Sequence, residues 1–453
     1  MKNHYFAEPF PYLCVFIYEA LLQNIRHYTH KKEKTMRKIL IPILLIAVFS
    51  TVTAWAQTER PASIEALRSE HDAQWYAHQT ALWEKEVQKN PNDDEAWFNW
   101  FTFTKSKFTN VAGRNFDMDA MAKEMAAIAN RLHKERPDSY ARYIIDFNYD
   151  RMFRNWPDYL DDIVFINQTP KLENKQDNML KAIKMRPDFE PMYAGYVAYL
   201  VQTGRTDLMA DILKRWYNTG RYSYTMLSYA YNCMAGMEEN GILFVSGEEE
   251  TFACLLVQYG KGLFQDRLII NLNLLQEPEY LEYICNLLGV EATQPPADKT
   301  NMDYMNPWRE NLIFSIAHTS KRPVYFTSYY IPEIFKNHLY SEGLVTKYST
   351  RRYDNLAVKR RNFESVYLTD YLYETFVPEA FGEHAYAINL NFIPCFKSLL
   401  DFYKAEGIKT EYDRLRNLMI RITETCIKVM DVDPNEHDHI VQLMERYLNE
   451  IDR

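Results

Sequence analysis

The sequence predicts an α-helical protein with an α/β insert, in which helical repeats flank a small three-layer α/β domain. Three observations lead to this prediction. Apolar residues recur at helical spacing over about 62–235 and again after about 365, and short apolar strands alternate with helices between them. Only 13 glycines are present, which argues against a β-sandwich. Aromatic residues make up 15% of the chain, as expected where stacked helices bury large side chains.

The composition of the 453-residue chain is that of a globular protein, with 47% hydrophobic and 25% charged residues. This balance argues against extended disorder, because enough apolar surface is present to form a core. The formal net charge of −9 argues against a nucleic-acid partner, since phosphate recognition requires a basic surface.

Residues 36–56 have the features of a secretory signal peptide. Arg37 and Lys38 form a basic start, an apolar run follows, and Ala54 and Ala56 supply the small residues of a cleavage site. The apolar run is shorter than the roughly 20 residues that a membrane span requires. We therefore expect translation to begin at Met36, residues 1–35 to be a wrongly assigned upstream extension, and the mature chain to have no stable membrane span.

The cysteines of the mature chain do not form a pattern of disulfides or metal ligands. Five remain after position 56, and none lies in a Cys-x-x-Cys pair: Cys233, Cys254, Cys285, Cys395 and Cys426. We interpret them mainly as small buried residues. One disulfide is compatible with an exported protein, and its partners are not assigned.

Residues 57–235 are predicted to form helix pairs joined by proline turns. Asn90-Pro91, Arg136-Pro137 and Arg186-Pro187 each interrupt a helical pattern, and each proline is followed by Asn or Asp, a combination typical of helix starts. The prolines lie 46 and 50 residues apart. These pairs resemble tetratricopeptide repeats, although the usual period there is about 34 residues.

Residues 236–350 are predicted to form the three-layer α/β domain, because short strands alternate with helices. The predicted strands are 241–247, 267–275, 322–327 and 343–348, and the predicted helices are 248–259, 279–288, 311–318 and 332–340. Pro295, Pro296 and Pro307 predict a loop before the third helix.

Residues 351–453 are predicted to be a C-terminal helical block, with helices at about 366–378, 383–405, 409–430 and 435–451. The segment Asp431–His439 begins like a calcium-binding loop. However, Glu436 and Gln442 stand where such a loop has Gly and Glu. We therefore interpret this segment as a helix start, and no metal site is predicted.

Four ordered motifs between about 220 and 350 resemble one bacterial family. They are Gly-Ile-Leu-Phe-Val-Ser-Gly-Glu-Glu-Glu-Thr-Phe (241–252), Asp-Arg-Leu-Ile-Ile-Asn-Leu-Asn-Leu-Leu (266–275), Lys-Arg-Pro-Val-Tyr-Phe (321–326) and Glu-Gly-Leu-Val (342–345). In this order they resemble the C-terminal, extramembrane part of a domain-of-unknown-function family described as protein O-mannosyltransferase-like membrane proteins. The resemblance implies a link to envelope glycosylation.

Two departures from that family bear on activity. The multi-pass membrane half that would hold a lipid-linked sugar donor is absent from this sequence. The acidic triplet is Glu248-Glu249-Glu250, where the family has Asp-Asn-Asp, and the longer side chains would change any ligand geometry. Transferase activity is therefore not carried over to this chain.

Polar residues at the predicted strand ends form the candidate ligand-binding site. Ligands of open α/β sheets collect at the carboxyl ends of strands. We expect a cation or sugar hydroxyls to be bound there by six residues: Glu248, Glu250, Thr251, Asn271, Asn273 and Thr327. The alternative is that the triplet only stabilises the positive end of the helix dipole, by about 0.3–1 kcal/mol per carboxylate. Three adjacent acids would repel phosphate, which argues against a nucleotide site.

Two further groups of residues have both a functional and a structural interpretation. Trp75, Tyr76, Trp83, Trp97 and Trp100 could form a carbohydrate-stacking surface, but their helical spacing favours a core between helices. Arg322, at the start of the third strand, could pair with the acidic triplet. It would lie at the wrong end of its strand in a parallel sheet, so a structural ion pair or a solvated edge is favoured.

No catalytic constellation is identified, since no Walker loop, Gly-x-Ser-x-Gly elbow or His-Glu-x-x-His motif occurs. No cofactor is predicted, and we do not expect an enzyme. The sequence favours an exported, soluble helical-repeat scaffold or binding protein in the periplasm or cell envelope of a Gram-negative-type bacterium, with a protein or peptide partner. The alternative is a soluble carbohydrate-binding accessory protein related to envelope glycosyltransferases, with a glycan as ligand.

Overall fold

The computed structural model describes residues 61–69, 71–110, 117–153, 173–298, 302–327, 332–375, 379, 382–429, 441, 442 and 446. All of these except Pro61 belong to one compact unit, Ala62–Arg453. This unit is mostly helical and contains a small mixed sheet of five strands. The predicted signal peptide at 36–56 and the segment Asp431–His439 lie outside the described residues.

In the described part of the chain, eight helices precede the sheet and form the N-terminal helical block. They are α1 (Ala73–Lys89), α2 (Asp94–Thr109), α3 (Met118–Glu135), α4 (Tyr140–Phe153), α5 (Glu173–Met185), α6 (Tyr193–Gln202), α7 (Thr206–Asn218) and α8 (Tyr224–Ala235). The short 3-10 turn Glu190–Met192 leads directly into α6. Helix α2 packs against α1, α3 and α4, so neighbouring helix pairs share one core.

Polar side chains fix the starts of several of these helices. Asp72 accepts a hydrogen bond from the amide of Trp75, Asp93 from that of Ala96, and Asp117 from that of Ala120. Each such cap satisfies a backbone donor that the helix itself leaves unpaired, and contributes about 1 kcal/mol.

The three proline turns share one hydrogen-bond pattern. In each, the fourth residue donates its amide to the carbonyl of the first, at 3.1–3.2 Å: Asp93 to Asn90, Ser139 to Arg136, and Phe189 to Arg186. The proline carbonyl also accepts a bond from a side chain of the following helix in all three: Trp97 Nε1 to Pro91, Arg142 Nε to Pro137, and the Tyr193 hydroxyl to Pro187. The helix pairs are therefore joined by turns of equivalent local structure.

The sheet contains parallel and antiparallel pairs. Its strands are β1 (Ile242–Val245), β2 (Leu268–Asn271), β3 (Val324–Thr327), β4 (Leu339–Ser341) and β5 (Val345–Tyr348), in the order β2-β1-β3-β5-β4. β1 is parallel to β2 and β3, with Phe244 opposite Ile270 and Phe326. β5 is antiparallel to β3 and β4. The carboxyl ends of β1, β2 and β3 therefore lie at one edge.

Three helices connect the parallel strands: α9 (Glu248–Leu255, extended by a π turn at Leu256–Gly260), α10 (Pro278–Leu288) and α11 (Met302–Thr319). The prediction of a loop at Pro307 was wrong, because this residue lies inside α11. Proline lacks an amide hydrogen, so at the sixth position of α11 it removes one backbone hydrogen bond without ending the helix.

The predicted helix 332–340 was also only partly right. A 3-10 helix spans Glu333–His338, and the chain then forms β4. β4 is a three-residue edge strand whose residues are all half-buried, so it has no alternating pattern that a sequence could reveal. It reverses into β5 at Gly343, whose φ of +124° favours glycine.

Four helices follow the sheet in the described residues and form the C-terminal helical block. They are α12 (Asn355–Arg361, continued by a π turn at Asn362–Val366), α13 (Gly382–Ala387), α14 (Ile393–Ala405) and α15 (Lys409–Val429). Helix α12 was not predicted. In place of the predicted helix 366–378, the described residues contain one short 3-10 helix, Asp370–Leu372. The predicted helix 383–405 corresponds to α13, a 3-10 turn at Ile388–Phe392 and α14, which follow one another without a break.

The two faces of the sheet bury different cores. Ile242 and Phe244 belong to a core shared with α1–α7, α10 and α11. Leu243 and Val245 belong to a second core, shared with α8 and the C-terminal helical block. Because successive strand residues point to opposite faces, helices cover the sheet on both sides.

Buried aromatic and cysteine side chains confirm two structural interpretations. Tyr76, Trp83 and Trp97 are buried, and Trp75 and Trp100 pack against the same core, so these aromatic residues form no open stacking surface. All five cysteines of the described chain are buried and carry free thiols. No helix in the described ranges is both long and apolar enough to cross a membrane.

Candidate functional site

The six predicted site residues meet at the carboxyl edge of the parallel strands. Asn271, at the end of β2, donates its Nδ2 hydrogen bonds to Thr251 Oγ1 at 2.9 Å and to the Gly247 carbonyl at 3.3 Å. Thr251 in turn donates to the same Gly247 carbonyl at 2.7 Å. The end of β2 is thus tied to the start of α9, as the parallel topology leads one to expect.

Glu250 is buried beneath this edge and has a structural role. Its Oε2 accepts bonds from the Ser246 amide at 3.1 Å and from Thr327 Oγ1 at 3.4 Å. A glutamate at the third helical position that reaches back to an amide before the helix acts as part of a cap. Its Oε1 has no partner in the described structure, and burial raises the pKa of this carboxyl above its usual range.

Asn271 and Asn273 shape the turn after β2. Asn271 Oδ1 accepts the amides of Asn273 at 2.9 Å and Leu274 at 3.2 Å, while Asn273 Nδ2 donates to the Ser246 carbonyl. These contacts hold the turn in one conformation. Asn273 is exposed, and its side chain is engaged in this turn, whereas Glu250 and Thr327 are buried.

Glu248 has a different environment from Glu250, two residues away. It is exposed, and it forms an ion pair with Arg151 of α4. The two residues are separated by 97 positions in the chain. Sequence reasoning missed Arg151, because no local pattern relates α4 to the start of α9.

A cavity of about 260 Å³ lies beside this ion pair. It is lined by Arg151, Ala198, Val201, Gln202, Glu248, Thr251, Phe252, Asn271, Leu274 and Glu277. Three of the six predicted residues therefore reach the cavity, namely Glu248, Thr251 and Asn271. Glu250, Asn273 and Thr327 do not line it.

A larger cavity of about 580 Å³ lies within the N-terminal helical block. It is lined by Ile64, Phe98, Phe101, Thr102, Lys105, Asn148, Arg151, Met152, Glu190, Pro191, Ala194 and Gly195. Arg151 lines both cavities, so they adjoin at this side chain. We call the two cavities together the groove.

One helical face runs along both cavities. Six residues of α6 and the turn before it line the groove at spacings of about three and four: Pro191, Ala194, Gly195, Ala198, Val201 and Gln202. Most of these side chains are small, which leaves room above the helix. At Gly195 a Cβ atom would lie 3.2 Å from Asn148 Oδ1, so a side chain there would crowd the larger cavity.

Lys105 of α2 contributes a positive charge to the larger cavity. Its ammonium has no hydrogen bond or ion pair with any residue that the structure describes. The residue is solvent-accessible, yet the walls of the groove partly desolvate its ammonium, and this lowers the pKa of Lys105. The positive charge of Arg151 lowers it further, and Glu248 partly offsets the effect.

Arg322 lies at the opposite edge of the sheet from the triplet and does not pair with it. Its guanidinium donates to the carbonyls of Asn240 and Asp266, each at 2.7 Å. Among the described residues, no group of three or more His, Cys, Asp or Glu side chains is placed to hold a metal ion.

The groove combines an apolar wall, small helical residues and a few charged and hydrogen-bonding groups. Such a surface can bind a short, partly apolar chain and orient it through its polar groups. Comparison of the chain with models of protein families, with curated proteins and with solved structures gave no match.

Proposed function

We propose that this chain is a helical-repeat binding protein of the bacterial cell envelope that holds a protein or peptide segment in the groove. The observation that carries the proposal is the junction of the two cavities at Arg151. Cavities of roughly 300–1,000 Å³ are typical of sites for small ligands and short chains. A groove of this size accepts an extended segment more readily than a folded domain.

The character of the groove supports a peptide as the ligand. Phe98, Phe101 and Met152 present apolar surface in the larger cavity, while Thr102 and Asn148 offer hydrogen-bonding groups. Apolar side chains and backbone amides of a peptide need this combination. The lining residues supply charge, hydrogen bonds and apolar contact, and the proposal is therefore one of binding.

The architecture supports the same proposal. We take the N-terminal helix pairs as tetratricopeptide-like, on the strength of the equivalent proline turns. Stacked helix pairs commonly bind extended segments along one face. Export to the periplasm or cell envelope follows from the predicted signal peptide at 36–56 alone.

Filling the groove tests this function. Ala194→Trp places an indole in the larger cavity, and Ala357→Trp adds the same group at an exposed position of α12 as a matched control. The probe is an equimolar library of random hexapeptides, with bound members identified by mass spectrometry after gel filtration. Wild type and Ala357→Trp should retain peptides, and Ala194→Trp should lose them while keeping its circular dichroism spectrum. Equal retention by both variants would show that the groove is not the binding site.

A carbohydrate ligand is the second candidate, favoured by the polar smaller cavity. Gln202, Glu248 and Glu277 line it, and carboxamide and carboxylate groups hydrogen-bond sugar hydroxyls. The resemblance to an envelope glycosyltransferase-like family points in the same direction. A parallel screen with neutral and acidic oligosaccharides separates the two: retention of oligosaccharides and not of hexapeptides would favour the accessory role in glycosylation.

A further inference from the structure

The charges around the larger cavity are not balanced. Lys105 and Arg151 both line it, and Arg151 is already paired with Glu248. Glu190, an acid that lines this cavity, accepts a hydrogen bond from Trp216 Nε1 at 2.8 Å, and burial raises the pKa of its carboxyl. The Lys105 ammonium therefore makes no direct ion pair among the described residues, although Glu248 acts on it at longer range, and it lies at the lining of the larger cavity.

We propose that the groove binds the C-terminal end of a peptide, with the free terminal carboxylate paired to the Lys105 ammonium and an apolar last side chain against Phe98 and Phe101. This inference rests on the peptide-binding function proposed above. A carboxylate at Lys105 would supply the missing negative charge, and the partial desolvation of the site would strengthen the pair relative to one in bulk water.

The neighbouring groups favour a carboxylate over a phosphate. A carboxylate carries one negative charge, which matches one ammonium. A phosphate carries nearly two, and the carboxylates of Glu248 and Glu190 would repel the excess.

The apolar wall favours a terminal carboxylate over an acidic side chain within a chain. Phe98, Phe101 and Ile64 line the same cavity as Lys105. A C-terminal residue presents its carboxylate and its side chain from one Cα atom, so it can meet the ammonium and the apolar wall together. An internal aspartate or glutamate would leave the apolar wall without a partner.

The length of the groove sets the length of the peptide. The groove-lining residues of α6 and the turn before it run from Pro191 to Gln202, which spans about 16 Å at 1.5 Å per residue. An extended chain covers this in about five residues. The peptide would pass the Arg151–Glu248 pair and reach the smaller cavity, where Gln202 would lie beside its backbone.

The experiment compares two peptide mixtures and three lysine variants. The mixtures are random pentapeptides with an N-terminal acetyl group and a C-terminal leucine, identical except that one has a free carboxylate and the other a carboxamide. The variants are Lys105→Met, Lys105→Arg and, as a control on the same helix, Lys107→Met, whose lysine pairs with Glu124. Binding is measured by displacement of a fluorescent member of the acid mixture.

Wild type and Lys107→Met should bind the acid mixture at least tenfold more tightly than the amide mixture. Lys105→Met should lose that preference by weakening only acid binding, and Lys105→Arg should retain part of it. In addition, acetic anhydride should modify Lys105 faster than Lys107, and the acid mixture alone should slow that reaction.

Two results would overturn the inference, and they have different consequences. Equal affinity of wild type for both mixtures, or unchanged acid binding in Lys105→Met, would refute the role of Lys105. If Ala194→Trp still abolished binding in that case, the peptide-binding function would stand. Failure of wild type to bind either mixture at millimolar concentration would count against both the inference and the function.

Discussion

The helical blocks on the two sides of the sheet differ in the partners of their polar side chains. On the side of the C-terminal helical block, two buried asparagines have their hydrogen-bond partners within the protein. Asn232 exchanges two hydrogen bonds with the backbone of Leu368, at 2.7 and 2.8 Å, and Asn362 donates to the Glu342 carbonyl at 2.7 Å. On the side of the N-terminal helical block, the groove remains open and Lys105 has no partner in the described structure.

Lys359 and Lys105, one in each helical block, show the same difference between the two sides of the sheet. Lys359 is buried on the C-terminal side and donates to Ser398 Oγ at 3.0 Å, without a neighbouring carboxylate in any described ion pair. Burial lowers the pKa of Lys359, as the groove walls lower that of Lys105. The first lysine is sealed in a core and the second faces a cavity. Lys359 therefore bears the cost of desolvation inside a core, whereas Lys105 is solvent-accessible and can meet a ligand in the cavity.

The largest expected effects test whether both faces of the sheet are covered. Leu243→Ala and Phe244→Ala remove fully buried side chains from opposite faces of β1. Each should lower the free energy of unfolding by about 2–5 kcal/mol, because each leaves a cavity. Urea unfolding followed by circular dichroism measures the loss, with Leu368→Ala as an exposed control. A loss below about 1 kcal/mol for either variant would mean that its face is not packed.

Removing the buried charge of Lys359 should make the protein more stable. Lys359→Met keeps the length of the side chain and abolishes the desolvation cost, so the free energy of unfolding should rise by about 1–2 kcal/mol at pH 7. Lys336→Met, at an exposed position, should change it little. A lower melting temperature for Lys359→Met would show that the bond to Ser398 outweighs the cost of burying the charge.

The buried carboxyl under the candidate site should make stability depend on pH. The pKa of Glu250 is raised in the folded state above the ordinary 4.5, so its contribution is fully present below pH 4.5 and is lost as pH rises through the folded-state pKa. Glu250→Gln has no carboxyl at this position, so its free energy of unfolding should not have this dependence on pH. It should be more stable than wild type at pH 8, by about 1 kcal/mol, and lose that advantage at pH 4.

The exposed neighbour Glu249 provides the control for this titration. Glu249→Gln should follow the wild-type pH profile of the melting temperature. If Glu250→Gln also followed it, the carboxyl of Glu250 would not be the group that titrates.

The smallest effect on stability is expected at Lys105, in the groove. Lys105→Met should change the free energy of unfolding by less than about 0.5 kcal/mol, because its ammonium is solvent-accessible and makes no described contact. The melting temperatures of Lys105→Met, Lys359→Met and wild type, measured under the same conditions, give the direct comparison. If Lys105→Met changed the melting temperature as much as Lys359→Met does, the surroundings of Lys105 would be a packed interior as well.

Local patterns predicted much of the fold. The strands at 242–245, 268–271, 324–327 and 345–348 lie within the predicted segments, and the proline turns lie where they were expected. β4 and α12 were missed. Both are short, and neither has the apolar periodicity on which sequence reasoning depends.

The sequence by itself determined that polar residues would gather at the carboxyl edge of the strands, because the positions of strand ends follow from local patterns. It did not determine which of them face a ligand. Glu248 and Glu250 begin the same helix, yet one reaches the groove and the other is buried against Thr327. Only the tertiary structure decided this, since the groove depends on α2, α4 and α6, whose side chains lie far from the triplet in the sequence. Lys105 and Arg151 could not be recognised before those helices were placed, because a surface charge becomes a binding group only through the walls that surround it.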